Sequence, residues 1–146
     1  MLASLAKQEM LLTKLRMITP PDWARGAGFS WGSSGTGSRL LSVAGQLAVQ
    51  NGSAEVEPNQ SFAQQFAKCL QNVVAVVRAD GGTVSDIAML RAYVRDMAAF
   101  KSSAEQIKGS WSEILGKHFP AMTLVEVSML YDPNALVEIE AFAIIQ

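Results

Sequence analysis

The stretch from Val137 to Ile144 alternates with a period of two, and that alternation limits the possible folds more than any other feature. Val137, Ile139, Ala141 and Ala143 make a wholly apolar face, while Glu138, Glu140, Phe142 and Ile144 point the other way. Upstream, "FPAMTLVEVSML" has the same character and carries Glu126. Phe119 to Ile144 therefore reads as two strands joined by a short turn. A lone carboxylate inside a strand core costs several kcal/mol, so the glutamates need a special surrounding. Strand parity assigns Glu126, Glu138 and Glu140, together with Arg91 and Tyr93, to the sheet face away from any helices. That face is too apolar to be left in water, which predicts that it packs against copies of itself in a closed oligomer.

The rest of the chain supplies the helices. Phe62, Phe66, Cys69, Leu70, Val73, Val74 and Val77 fall at three-and-four spacing, and Asp80-Gly81-Gly82 ends the run. "DIAMLRAYVRD" predicts a strand. Ser103 and Gln106 suggest a capping box for a second helix with Ile107, Trp111, Ile114 and Leu115 as its stripe. Lys117 and His118 close that helix, where cations suit its C-terminus. "TKLRMITPP" predicts an edge strand after a helical N-terminal extension, and Gly45 in "RLLSVAGQLAV" marks a bulge or a close backbone approach. The Gly- and Ser-rich "DWARGAGFSWGSSGTGSR" lacks the lysine and helix of a phosphate loop, and reads as a loop or hairpin bend. One sheet with both helices on one face satisfies this order.

At 146 residues the chain is one ordinary domain. Only 17% of it is charged, against 49% apolar, so part of the surface is expected to be hidden between subunits. A net charge of −1 without a basic block argues against nucleic acid. No apolar run reaches a membrane span, and the N-terminus does not read as a signal peptide. The single cysteine, Cys69, lies on the first helical stripe, where burial makes it a core thiol and a reducing compartment is natural. The expected location is cytoplasmic.

Several blocks, "VAGQLAV", "FAQQFAKCLQNVVAVVRADGGTVSDI", "AYVRDMAAF", "HFPAMTLVEVSML" and "VEIEAFAI", together resemble the Rid family, the reactive intermediate deaminases formerly called YjgF. The resemblance runs from about Gly28 to Ile145, which divides the chain into an N-terminal extension, 1–27, and a single Rid-like domain, 28–146. It implies a chorismate-mutase-like α+β fold, with one mixed sheet, two helices on one face and a trimeric barrel with clefts between subunits. It also implies hydrolysis of reactive enamines and imines with no metal or organic cofactor.

The resemblance extends to individual residues, with departures. Glu140 matches the carboxylate that handles protons or water, and the Gly45 position is kept, preceded by Ala44 in place of serine. After Phe-Pro-Ala, deaminating members place an arginine that grips the substrate carboxylate, and here that position is Met122. Leu124 stands where a small residue or cysteine is frequent, and an asparagine of some members is replaced around Ala104 or Glu105. A methionine cannot reproduce an arginine fork. The expectation is hydrolysis or tautomerisation of an imine or enamine other than the usual keto-acid imines, with Glu140 as acid/base. Phe29, Gly45, Pro120, Ala121, Met122 and Leu124 would bind it. Arg91 either replaces the missing cation or neutralises Glu126 or Glu138. The alternative is a trimeric small-molecule binding or regulatory protein without turnover.

Overall fold

The computed structural model describes residues 15–53 and 55–146. The helical extension expected before Leu15 lies outside the described residues. Strands β1 (Leu15–Ile18) and β2 (Gly32–Gly35) form a two-stranded antiparallel ribbon, so the expected edge strand is present. Its partner is the Gly- and Ser-rich stretch read as a loop. Glycine and serine have little strand propensity, and tertiary partners hold β2: it pairs with β1, and Ser33 Oγ donates to the Ala88 carbonyl at 2.6 Å.

The main sheet contains β3 (Arg39–Gln46), β4 (Ile87–Val94), β5 (Ala121–Glu126) and β6 (Val137–Ile145), in the order β3-β6-β4-β5. Three helices complete the fold among the described residues: α1 (Phe62–Ala79), a short α2 (Met97–Ser102) and α3 (Ala104–Leu115). All seven apolar positions of the α1 stripe are buried. Ser61 Oγ accepts from Gln64 N at 3.1 Å while Gln64 Oε1 accepts from Ser61 N at 2.9 Å, and Gly81 leaves the helix at φ 84°. The stripe packs on Leu90, Ala92, Val94, Val137, Ile139, Ala141 and Ala143, all fully or nearly fully buried. Truncating such a residue, Leu70→Ala for example, costs about 2–5 kcal/mol.

Three local expectations change. β5 and β6 are not a hairpin: β5 runs parallel to β4, and β6 inserts between β3 and β4, so residues 127–136 cross the end of β4. Polar side chains fasten this crossing. Asp132 accepts from Val56 N (2.9 Å) and Asn134 N (2.8 Å), and Gln65 bonds both Asn134 O and Leu136 N. Ser103 makes no cap hydrogen bond, because its backbone (φ −94°, ψ 9°) follows directly from α2 instead of being extended as an N-cap requires. The cap is one helix earlier, where Asp96 accepts from Ala99 N at 3.0 Å. His118 closes its helix through its backbone and not its ring: its N–H donates to the Leu115 carbonyl at 3.2 Å. Its Nε2 lies 2.7 Å from the Ile87 carbonyl and ties the end of α3 to β4.

Candidate functional site

The β4–β6 register puts Arg91 opposite Glu140 and Tyr93 opposite Glu138 on the face that the helices leave open. Glu140 Oε1 accepts a hydrogen bond from the Tyr93 hydroxyl and lies 3.5 Å from Arg91 Nη1. Arg91 also stacks over Phe142, its guanidinium carbon 5.4 Å from the ring centroid. Arg91 is thus committed to Glu140, and neither Glu126 nor Glu138 is its partner. Loss of the Tyr93 proton would set a phenolate against the Glu140 carboxylate, so this hydrogen bond pushes the Tyr93 pKa above its ordinary value.

Gly45 explains how Glu138 fits. The β3–β6 register shifts between Val43 and Gln46, a bulge. At Gly45 an added Cβ would overlap Glu138 Oε1 and stand 2.8 Å from its Cδ. Both readings of Gly45, bulge and close approach, therefore describe one feature. Packed there, the Glu138 carboxyl is pushed above the usual range by burial and, secondarily, by the charge of Glu140. Gly45, Tyr93, Glu138 and Glu140, with Val127, Met129 and Leu130, line a cleft of about 380 Å³.

Met122, Leu124 and Phe29 lie elsewhere. In the β4–β5 register Met122 pairs with Leu90, Leu124 with Ala92 and Glu126 with Val94, so these three residues share the helix-covered face. Glu126 accordingly leaves the group of open-face glutamates. Its Oε2 accepts from Met97 N at 2.7 Å, at the start of α2. The parity reading failed because it treated β5 and β6 as neighbours, whereas β4 fixes the facing of each. Met122, Leu124 and Phe29 line a cavity of about 750 Å³ with Phe66, Phe100, Ile107, Trp111 and Phe119. Pro120 and Ala121 pin the backbone next to Phe29, at Ser30. Ser30 N donates to the Pro120 carbonyl at 3.0 Å, and Ser30 bridges to Ala121 in parallel.

Cys69 is buried, its thiol pushed up to about 12 by burial, and its Sγ lies 3.5 Å from the Val137 carbonyl. Among the described residues no group of three or more His, Cys, Asp or Glu side chains could hold a metal ion. Nor is any helix among them long and apolar enough to cross a membrane.

The family profile described as Endoribonuclease L-PSP matches residues 29–145. A crystal structure of a protein of unknown function of the conserved Rid protein family, from Yersinia pestis, superposes with a TM-score of 0.79 at 28% identity. The match covers 90% of this chain and 99% of that one. The chain belongs to the Rid/YjgF family. An Escherichia coli protein named 2-iminobutanoate/2-iminopropanoate deaminase is 31% identical over 108 residues, 72% of this chain and 79% of its own. A RutC family protein of Pyrococcus horikoshii is 31% identical over 104 residues, 71% of this chain and 78% of its own.

For a Rid/YjgF chain the α+β frame is as expected, a mixed sheet with helices on one face. The expected site residues, however, fall into two groups within one protomer. Gly45, Arg91 and Glu140 come together on the open face. Phe29, Met122 and Leu124 come together under the helices, with Pro120 and Ala121 behind Phe29. Sequence reasoning missed Tyr93 and Glu138 as partners in the first group, and Lys108, Trp111 and Phe119 in the second. Parity had placed Tyr93 and Glu138 on the right face, but only the register shows which residue each one meets.

Proposed function

We propose that this Rid/YjgF protein hydrolyses an imine or enamine other than the imines of small keto acids, in clefts between the subunits of a homotrimer. The observation that carries the reading is Glu140, fixed by Tyr93 and Arg91 at a cleft beside Gly45. The activity for which the Escherichia coli relative is named supports the reaction class. The two half-sites support the assembly: the open face of one subunit supplies Gly45 and Glu140, and the Met122 wall of a neighbour completes the cleft. Oligomerisation also covers Leu40, 69% exposed on the open face.

In the reaction, water adds to the imine carbon as Glu140 takes its proton. Glu140 returns that proton to the nitrogen to give the carbinolamine, then takes the hydroxyl proton and hands it to the same nitrogen as the C–N bond breaks, which leaves the carbonyl compound and ammonia. Positioning supplies the remainder, through the backbone at Gly45 and the Pro120–Ala121 segment. Met122 argues against a small carboxylate-bearing substrate, because a thioether offers no charge-assisted contact.

Ammonia release from a panel of freshly generated imines tests the reading. Glu140→Gln should reduce the rate about 10²–10⁴-fold while leaving the fold and assembly intact. The absence of ammonia from every imine would favour the second reading, a trimeric binding or regulatory protein. The commitment of Arg91 to Glu140 favours that reading too, since it removes Arg91 as a free substrate anchor.

A further inference from the structure

The cavity of about 750 Å³ beneath the helices is much larger than a three-carbon imine requires, and its walls are mostly aromatic and aliphatic. On α3, Ile107 and Trp111 lie buried at its base, while Ala104, Lys108 and Ser112 follow at four-residue spacing along its rim. Trp111 stacks on Phe119 with centroids 6.0 Å apart and ring planes 8° from parallel, which gives the far wall a flat aromatic surface. Among the described residues Lys108 is the one charged residue that lines the cavity, and it pairs with no carboxylate there. Its aliphatic stem can lie along the apolar wall while the ammonium stays at the wet rim. An apolar chamber with an unpaired cation and a hydroxyl at its mouth is complementary to one ligand chemistry.

We infer that this cavity binds a small organic acid with a bulky apolar body. Its carboxylate is held at the rim by Lys108 and Ser112, and its ring or branched chain lies among Trp111, Phe119 and Met122. Met122 then has a positive role: it extends the apolar wall, and the cation has moved from the strand to the helix. The inference rests on the proposed reaction only for the fate of the ligand, in which case the substrate is the imine of a bulky 2-oxo acid. Binding stands or falls separately.

Calorimetric titration with 3-phenylpropanoate tests the binding, with propanoate and 3-phenylpropan-1-ol as controls. The acid should bind about tenfold or more tightly than either control, since one lacks the apolar body and the other the charge. Lys108→Gln, at an exposed position, should weaken the acid about three- to tenfold and leave the alcohol unchanged, and the loss should shrink at high salt. Ala104→Phe, which fills the rim from another exposed position, should abolish binding of both phenyl compounds. Equal binding of acid and alcohol, or an acid affinity indifferent to Lys108→Gln, would overturn the inference. Ammonia release from the phenyl-bearing imine is measured in parallel. Binding without ammonia supports the cavity assignment and sinks the proposed hydrolysis, whereas turnover of imines without phenylpropanoate binding does the reverse.

Discussion

Glu140 stands directly opposite Arg91 in the sheet, yet its shorter hydrogen bond comes from Tyr93, one pair further along β4, while Arg91 Nη1 donates from 3.5 Å. The carboxylate is thus held diagonally by a phenol and directly by a guanidinium. A side chain so fixed can meet a water or an imine nitrogen in one orientation, which is what proton transfer needs.

The first prediction concerns the phenol itself. Tyr93 keeps its proton past its ordinary value of 10.0, chiefly because of the Glu140 hydrogen bond. With Tyr131 replaced by Phe, Tyr93 is the only tyrosine, and ultraviolet titration should show it ionising late. Adding Glu140→Gln should bring the transition back down. The folded state holds this proton more tightly than the unfolded chain. Its contribution to stability is therefore complete below the ordinary tyrosine value and is lost as pH rises through the folded one. Tyr93→Phe should cost about 1 kcal/mol at neutral pH, and that cost should disappear in alkali.

Glu138 gives the second prediction, with a sign that is easily misread. Its folded pKa is raised by burial against Gly45 and by Glu140, so the folded state favours the protonated form. The stabilising contribution is present below the ordinary glutamate value of 4.5 and is lost as pH rises through the folded value. Glu138→Gln should therefore stabilise the protein at pH 7, by up to about 1 kcal/mol, and make little difference near pH 3. Thermal melts at the two pH values check this. Destabilisation at pH 7 would mean that Glu138 has a stabilising partner in the assembled protein.

Much of this was legible from period alone. The buried faces of α1, β4 and β6 follow directly from the spacing of Val73, Leu90 or Ile139, because a one-residue slip would expose them all. Gly45 was legible as an irregularity, since a glycine within a strand pattern has few other uses. The position of β5 was not. Whether two consecutive strands form a hairpin or straddle a third depends on long-range pairing, and Glu126 changed faces for that reason alone. The strand Gly32–Gly35 was equally hidden, because its stability comes from β1 and Ala88 and not from its own residues.

A third prediction is a homotrimer in solution. Leu40 pairs with Ile144, and Met89 with Phe142, to form an apolar strip on the uncovered side of the main sheet, beside the Glu140 group. Native mass spectrometry should show three chains at micromolar concentration, and Leu40→Glu should shift the distribution toward smaller species. A stable wild-type monomer would remove the intersubunit cleft altogether.

The last prediction turns on Met122. It lies half-buried in the apolar cavity wall, on the opposite sheet face from Arg91 within its own subunit. An arginine at this position would carry its guanidinium toward the cavity, where Lys108 is the only other charge among the described residues. A charge-assisted contact is worth about 1.5–3 kcal/mol, or roughly one to two orders of magnitude in binding. Met122→Arg should therefore raise kcat/KM for 2-iminopropanoate about tenfold or more, and lower it for imines with bulky apolar groups, because the guanidinium fills space they need. Two features limit the gain: Leu124 crowds the same wall, and Lys108 adds a like charge. Arg91→Ala is the necessary companion. It should weaken catalysis through Glu140 for every imine alike, without selecting against carboxylates. If instead the wild type hydrolyses 2-iminopropanoate rapidly and Arg91→Ala abolishes that reaction alone, then Arg91 of an adjoining subunit is the carboxylate anchor, and Met122 is only part of the wall.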